Sequence, residues 1–464
     1  MFIINNNENV PLFKQLYMRI REQALSGKLP EHAKLPSVRE LAAELSISRN
    51  TVEAAYQELH AEGYIYSRQR RGYFVSALDL HAEPPTPAFK PRPQSPPVPP
   101  ALHHTYDFHP ARLDPGSFPL ALWRTCLVEC LREGLSELSV YGDPRGDRGL
   151  RSNIQQYLER SRGVVCDPDQ IVICAGLQHS LDIVAHLLKE QHCSVAVEDP
   201  GYHLARAVFR NNLFNIVPAA VGSDGLDLET VRASGSTIAY VTPSHQLPMG
   251  CVMPIANRRK LIEWAGSGNR LIIEDDYDSE LRYHGKPIPS LQGLWPYGNI
   301  IYLGTFSKIL SPALRLSYMV LPQSVLARLN EQYHDYFSSV SLLEQKTMAK
   351  FIEQGHWMRH IRRMRILYNK KHDVLIESIK HEFGSKATIL GQGAGLHVVL
   401  QLLVQNHGEA EIIRRAARNG IGLFPFSTTC VKNKPTLTNL LLGFGGMSAL
   451  EIEQGVHLLA KLCF

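Results

Sequence analysis

Between Pro84 and Pro100 the chain places nine of its 29 prolines. Proline lacks a backbone N–H and has a fixed φ, so such a segment enters neither a helix interior nor a sheet ladder. It reads as extended, and at about 3.1 Å per residue it spans roughly 50 Å. The 464-residue chain is thereby divided. A first body occupies residues 1–75 and a linker residues 76–105. The remainder, 106–464, has room for a large domain of about 106–335 and a small one of about 336–464. The linker is either a passive spacer or an arm that carries the first body over a partner subunit.

Charged residues make up 20% and hydrophobic residues 44% of the chain, a balance that permits a large core, and the net charge of +5 singles out no partner. The start, Met1 to Asn7, has no basic region followed by an apolar stretch, and no 18-residue apolar run exists. Neither a signal peptide nor a membrane span is expected, so the reading is cytoplasmic. Eight cysteines are scattered without C-x-x-C spacing. They read as small core residues or as free thiols of a reducing compartment, and no metal site is expected.

In the first body, Leu12, Leu16, Ile20 and Ala24 recur at helical spacing within residues 11–26, and Gly27 to Pro30 stops that helix. Ser37 and Glu40 form the capping-box pattern of a second helix. A third opens on Ser48, Arg49, Asn50 and Thr51. These residue types contact phosphates and base edges from the N-terminus of a helix in the major groove. Gly63 to Ser67 and Gly72 to Val75 read as short strands, with Arg68-Gln69-Arg70-Arg71 between them as a basic wing. Ten Lys/Arg against eight Asp/Glu leave residues 1–75 at about +2, so affinity for nucleic acid has to come from clustering on one face.

In the second body one lysine stands out. Lys308 lies in a loop between two apolar runs, Ile300 to Leu303 and Leu316 to Leu321. A buried lysine is costly as a cation, so its pKa falls and its amine becomes nucleophilic, as a Schiff-base lysine requires. Thr305, Ser307 and Arg315 add hydroxyls and a guanidinium suited to a phosphate. Upstream, the apolar strand from Leu271 ends in Glu274-Asp275-Asp276-Tyr277, with Asp275 lying 33 residues before Lys308. Ligands of open α/β sheets bind at the carboxyl ends of strands. Val172 to Ser180 reads as strand, tight turn and helix start, with free N–H groups that suit a phosphate. Recurring strand–loop–helix units predict a mainly parallel sheet covered by helices. The basic run His356 to Arg365 reads as a helix side facing either DNA or solvent and a second subunit.

These stretches of the second body resemble the fold-type I aminotransferases, which use pyridoxal 5′-phosphate. The resemblance implies Lys308 as the catalytic lysine of the internal aldimine, Asp275 on the pyridine nitrogen and Tyr277 on the ring hydroxyl. It implies Tyr202 stacked on the ring, and Gly176, Leu177, Gln178, Thr305, Ser307 and Arg315 as the phosphate cup. Residues 11–75 resemble the winged helix-turn-helix of GntR-type regulators in Leu35-Pro36-Ser37-Val38-Arg39-Glu40-Leu41-Ala42, Ser48-Arg49-Asn50-Thr51-Val52 and Gly63-Tyr64-Ile65. This implies Arg39, Ser48, Arg49, Asn50, Thr51 and Arg71 as DNA contacts. The two together resemble the MocR arrangement. The implied fold is multidomain, a winged helix-turn-helix plus an α/β fold-type I aminotransferase-like domain. The implied function is a homodimeric regulator that binds an operator with repeated half-sites and senses pyridoxal 5′-phosphate or an amino compound through Lys308. The alternative is an aminotransferase with an accessory DNA-binding domain. Two departures stand out. The family's asparagine before Pro-x-Gly is Leu247 here, so either His245 or Gln246 takes its place or the contact is missing. The strand Leu440 to Phe444 lacks the family's arginine for a substrate carboxylate, which weakens the case for turnover.

Overall fold

In the computed structural model the apolar stripe of the first body becomes α1 (Leu12–Leu25), which buries Leu16, Ile20 and Ala24. The structure describes residues 10–78, 104–133, 135–283, 288–404, 407–432 and 435–464. They fall into two units, one within residues 1–100 and one within 101–464. The extended form expected for Pro84 to Pro100 lies outside the described residues.

The second helix, α2 (Val38–Glu44), starts with the expected capping box. Ser37 Oγ accepts the Glu40 N–H at 3.2 Å, and Glu40 Oε2 accepts the Ser37 N–H at 2.9 Å. The third helix, α3 (Arg49–Ala61), is capped by Ser48 and buries Val52, Ala55, Tyr56 and Leu59. Strands β1 (Ile65–Arg68) and β2 (Gly72–Val75) pair antiparallel, with Arg68 opposite Gly72. The wing turn is therefore Gln69-Arg70-Arg71, because Arg68 still belongs to the ladder. Leu16, Ile20, Leu41, Val52, Tyr56, Leu59, Ile65 and Val75 form one core, so helices and hairpin make a winged helix-turn-helix.

The second unit opens with β3 (Tyr106–Asp107), α4 (Leu120–Glu133) and α5 (Arg148–Arg162). There follow β4 (Ile171–Cys174), α6 (Leu177–Leu188), β5 (Ser194–Asp199), α7 (His203–Asn211), β6 (Asn215–Gly222), β7 (Gly225–Leu226), α8 (Leu228–Ala233), β8 (Ile238–Val241) and α9 (Ile255–Gly266). Next are β9 (Leu271–Asp276), α10 (Leu291–Leu294), β10 (Ile300–Thr305), β11 (Ser317–Val320), α11 (Gln323–Gln332), α12 (Leu342–Glu353) and α13 (His356–Phe383). The chain closes with β12 (Ala387–Leu390), β13 (His397–Leu402), α14 (Glu409–Arg418), β14 (Ile421–Gly422), β15 (Thr438–Gly443) and α15 (Ala449–Cys463).

Eight strands form one sheet in the order β4-β11-β10-β9-β8-β5-β6-β7. Neighbours from β10 through β6 run parallel, whereas β11 is antiparallel to both β10 and β4. The expected mainly parallel sheet thus carries one internal antiparallel strand, because β10 returns through the lysine loop directly into its neighbour β11. Alternation along the strands sends Leu271 and Ile273 into the core under α6 and α7, and Ile272 into the core under α8 and α9. A second sheet, β12-β13-β15, is antiparallel throughout. The segment at Tyr106 does not open the large sheet but pairs with β14 beside this smaller sheet. Two residues are too short a strand to show any periodicity.

Candidate functional site

The carboxyl ends of β4, β5, β8, β9 and β10 converge on one cavity of about 320 Å³. Leu177, Gln178, Tyr202, Asp275, Tyr277, Thr305, Ser307, Lys308 and Arg315 all line it. Strand pleating explains why only one of the three carboxylates in Glu274-Asp275-Asp276 reaches the cavity. Glu274 and Asp276 point to the opposite face. Glu274 accepts the N–H groups of Leu291 and Gln292 at 2.8 and 3.0 Å. Asp276 pairs with Arg162 at 2.7 Å and accepts the Tyr302 hydroxyl at 2.5 Å. Asp275 accepts only the Tyr240 hydroxyl through Oδ2, and its buried Oδ1 has no partner among the described residues. Burial pushes the Asp275 carboxyl up to about 7, with Asp276, Asp278 and Glu198 adding to the rise and Tyr240 opposing it. A buried acceptor without a partner is costly. A protonated ring nitrogen is the donor such an oxygen lacks.

At the other end of the cavity, α6 starts at Gly176 without a side-chain cap. Its first N–H groups are the usual seat of an anion. Gly176 has φ +85°, where any side chain is strained, and a Cβ there would displace the Arg315 guanidinium. Arg315 itself sits at φ +50° and donates from Nη2 to the Ala175 carbonyl at 3.3 Å. The Thr305 hydroxyl lies 3.0 Å from Ser307 Oγ and accepts the Ser307 N–H at 3.1 Å. An uncapped helix start, two hydroxyls and a guanidinium suit a phosphate.

Between the two ends, Lys308 Nζ donates to the Pro110 carbonyl at 3.2 Å and lies 6.0 Å from the Tyr277 ring centre. Burial pushes the amine below its ordinary range, and the Asp278 and Asp275 carboxylates counter part of the fall. Burial also raises the Tyr277 phenol well above its usual value, keeping it a neutral hydrogen-bonding group.

The loop after β8 is arranged differently from the rest. His245 does not line the cavity. It is buried behind Tyr277, with Nδ1 2.8 Å from Asp278 Oδ2 and 3.1 Å from the Tyr277 hydroxyl. Gln246 spends its amide on Glu198, Pro200 and Leu247. Leu247 itself lines the cavity, as does Leu441 of β15. Sequence reading missed Tyr240, His109, His203 and Phe424. Tyr240 stands near the end of a strand, the same position rule that singled out Asp275. The other three reach the cavity only through tertiary contacts.

In the first unit, Arg39, Ser48, Arg49, Asn50 and Arg71 are exposed and Thr51 is half-buried. Ser48 Oγ accepts the Thr51 N–H at 3.1 Å and lies 2.8 Å from the Thr51 hydroxyl, so this pair builds the helix start. Arg71 stands in the wing turn. Among the described residues no helix is long and apolar enough to cross a membrane, and no group of three His, Cys, Asp or Glu is placed to hold a metal.

Residues 12–75 match the family of bacterial regulatory proteins of the gntR type, and residues 124–414 match aminotransferase class I and II. The chain is 40% identical to the HTH-type transcriptional regulator YdeL of Bacillus subtilis, over 98% of its own length and 97% of that protein's. It is 32% identical to the probable rhizopine catabolism regulatory protein MocR of Rhizobium meliloti, over 98% and 94%. LysN, an α-aminoadipate aminotransferase of Thermus thermophilus solved with N-(5′-phosphopyridoxyl)-L-leucine, has a TM-score of 0.69 at 23% identity, covering 77% of this chain and 92% of that one. This likeness is one of fold. A gntR-type winged helix-turn-helix joined to a fold-type I aminotransferase-like domain defines a DNA-binding transcriptional regulator built on an enzyme scaffold. The chain belongs to the MocR subfamily of GntR-type transcriptional regulators.

Proposed function

We propose that this regulator holds pyridoxal 5′-phosphate in the cavity at Lys308 and reads the cofactor, or an amino compound that meets it, as its signal. The observation that carries the reading is the unpartnered Asp275 Oδ1, buried in the same cavity as the Lys308 amine and the uncapped start of α6. Lys308 would hold the group through its nucleophilic amine, and Asp275 would accept from its ring nitrogen. Tyr277 would meet the ring hydroxyl, with His245 and Asp278 behind it fixing the phenol, and Tyr202 would cover the ring. Gly176, Leu177, Gln178, Thr305, Ser307 and Arg315 would hold its phosphate. When bound, the cofactor supplies an electrophilic carbon that primary amines attack.

Recognition of the operator falls to the first unit. Arg49 and Asn50 would read base edges from the start of α3, while Arg39, Ser48, Thr51 and Arg71 would hold phosphates. A homodimer is supported by an exposed apolar patch around a second cavity, where Tyr141 and Phe337 stack with centroids 4.1 Å apart while 79% and 53% exposed. Patches of that kind mark protein contacts. A dimer would ask for an operator with repeated half-sites, in a cytoplasmic protein. The test is the absorption spectrum of purified protein with added pyridoxal 5′-phosphate, beside Lys308→Ala. A lysine-dependent visible band supports the reading, and identical spectra refute it.

A further inference from the structure

The wall that faces Lys308 is a ladder of rings. Tyr202 meets His203 edge-on at 5.8 Å, His203 lies 5.5 Å from Phe424, and Phe424 meets His109 edge-on at 5.1 Å. All four line the cavity. His109 directly precedes Pro110, whose carbonyl receives the Lys308 amine, so the ladder begins beside the reactive nitrogen. Leu441 closes the wall. It is buried against Phe424 and Met249 in an apolar cluster.

We propose that the effector taken by this cavity is an aromatic primary amine without an α-carboxylate, seated against the wall that the ring ladder and Leu441 form together. The proposal rests on the cofactor reading above. Among the described lining residues, Lys308 and Arg315 are the only lysine or arginine side chains. Arg315 belongs to the phosphate end, beside Gly176. Arg206, whose partner Thr429 lines the cavity, is itself absent from the lining and donates from Nη1 and Nη2 to the carbonyls of Gly201, Thr428 and Thr429. Burial pushes the imidazoles of His109 and His203 below their ordinary value, so both are neutral near pH 7 and neither forms a salt bridge to a carboxylate. The Ala111 N–H donates to His109 Nδ1 at 3.1 Å, which leaves the remaining proton on Nε2. An unpaired carboxylate buried here would be strongly disfavoured, whereas an aromatic ring would gain the edge and face contacts that rings prefer. The cavity, at about 320 Å³, is at the small end of the range of small-molecule sites and has to take the cofactor as well, so the room beside the cofactor suits a single-ring body and not a peptide.

The experiment uses the full chain loaded with pyridoxal 5′-phosphate. 2-Phenylethylamine, phenylalanine and γ-aminobutyrate are titrated by calorimetry, with the cofactor's absorption followed in parallel. 2-Phenylethylamine is expected to bind at least tenfold more tightly than either acid, and Phe424→Ala to weaken it at least tenfold. Leu441→Arg is expected to turn the preference toward phenylalanine. If that variant does not fold, the comparison within the unaltered protein still decides. Equal or tighter binding of phenylalanine or γ-aminobutyrate overturns the proposal while leaving the cofactor reading standing. Absence of a lysine-dependent band before any amine is added overturns both.

Discussion

Replacing Asp275 with asparagine should stabilise the cofactor-free protein and weaken its hold on pyridoxal 5′-phosphate. The carboxyl is pushed from its ordinary 3.8 up to about 7, chiefly by burial. At about 1.4 kcal/mol per tenfold change in proton affinity, the ionised folded form is disfavoured by about 4 kcal/mol. The sign follows from linkage. An acid whose folded value is raised holds its proton more tightly when folded, so stability falls as pH climbs from about 4 to about 7, and the loss is complete above that. At about pH 5 roughly 1.5 kcal/mol has been lost and at about pH 8 all of about 4. Asparagine keeps an oxygen for the Tyr240 hydroxyl and carries no charge. Glu198, Glu274 and Glu280, also raised to about 7 by burial, are common to both proteins and largely cancel. Denaturant unfolding of the two cofactor-free proteins should therefore show Asp275→Asn gaining about 2–3 kcal/mol over the parent between about pH 5 and pH 8. Cofactor offsets much of that gain. Loss of a charge-assisted hydrogen bond of about 1.5–3 kcal/mol raises the dissociation constant roughly 10- to 150-fold. A variant less stable than the parent at pH 8, or one that binds cofactor as tightly, would refute the reasoning.

Other expectations follow from single features. Gly176→Ala forces a side chain into φ +85° and against Arg315. It should cost about 1–3 kcal/mol of stability and weaken cofactor binding, read by thermal unfolding and by titration of the absorption band. Ser37→Ala removes the cap of α2 and should cost about 1 kcal/mol in denaturant unfolding followed by helical signal. Arg49→Ala should weaken operator binding and relax sequence preference at one position with the salt slope nearly unchanged, as a base contact requires. A fall of about one in the salt dependence of log affinity would instead place the guanidinium on a phosphate.

What could be read from the sequence was local chemistry. Asp275 stood out because it ends an apolar strand and Lys308 because its loop joins two of them, and a strand end in an α/β sheet has a known address. Ser37 and Glu40 stood out because a capping box is complete within four residues. The uncapped start of α6 was readable for the same reason, since it directly follows a strand. The aromatic ladder was not readable. His109, His203 and Phe424 come from three separate segments, and nothing local distinguishes Phe424 from a core phenylalanine. The role of His245 was misleading in one respect. Its place before Gln246 and Leu247 suggested a direct contact, but burial against Asp278 turns it behind Tyr277. Leu247 and the arginine-free strand Leu440 to Phe444 were legible as departures from a family pattern, and the fold puts Leu247 and, from that strand, Leu441 on the cavity wall. The pairing of β3 with β14 joins Tyr106 to Ile421, a distance along the chain that no pattern in two residues can announce.

The measurement that tests the central claim most directly is operator binding by the full chain. Fluorescence anisotropy on DNA from upstream of its own gene, with and without pyridoxal 5′-phosphate, would be compared between the parent protein and Lys308→Ala. A cofactor-switched regulator predicts an affinity that changes 5- to 150-fold with cofactor in the parent, the range of about 1–3 kcal/mol of coupling, and a much smaller change in the variant. Specific binding of equal strength in all four conditions would contradict the account.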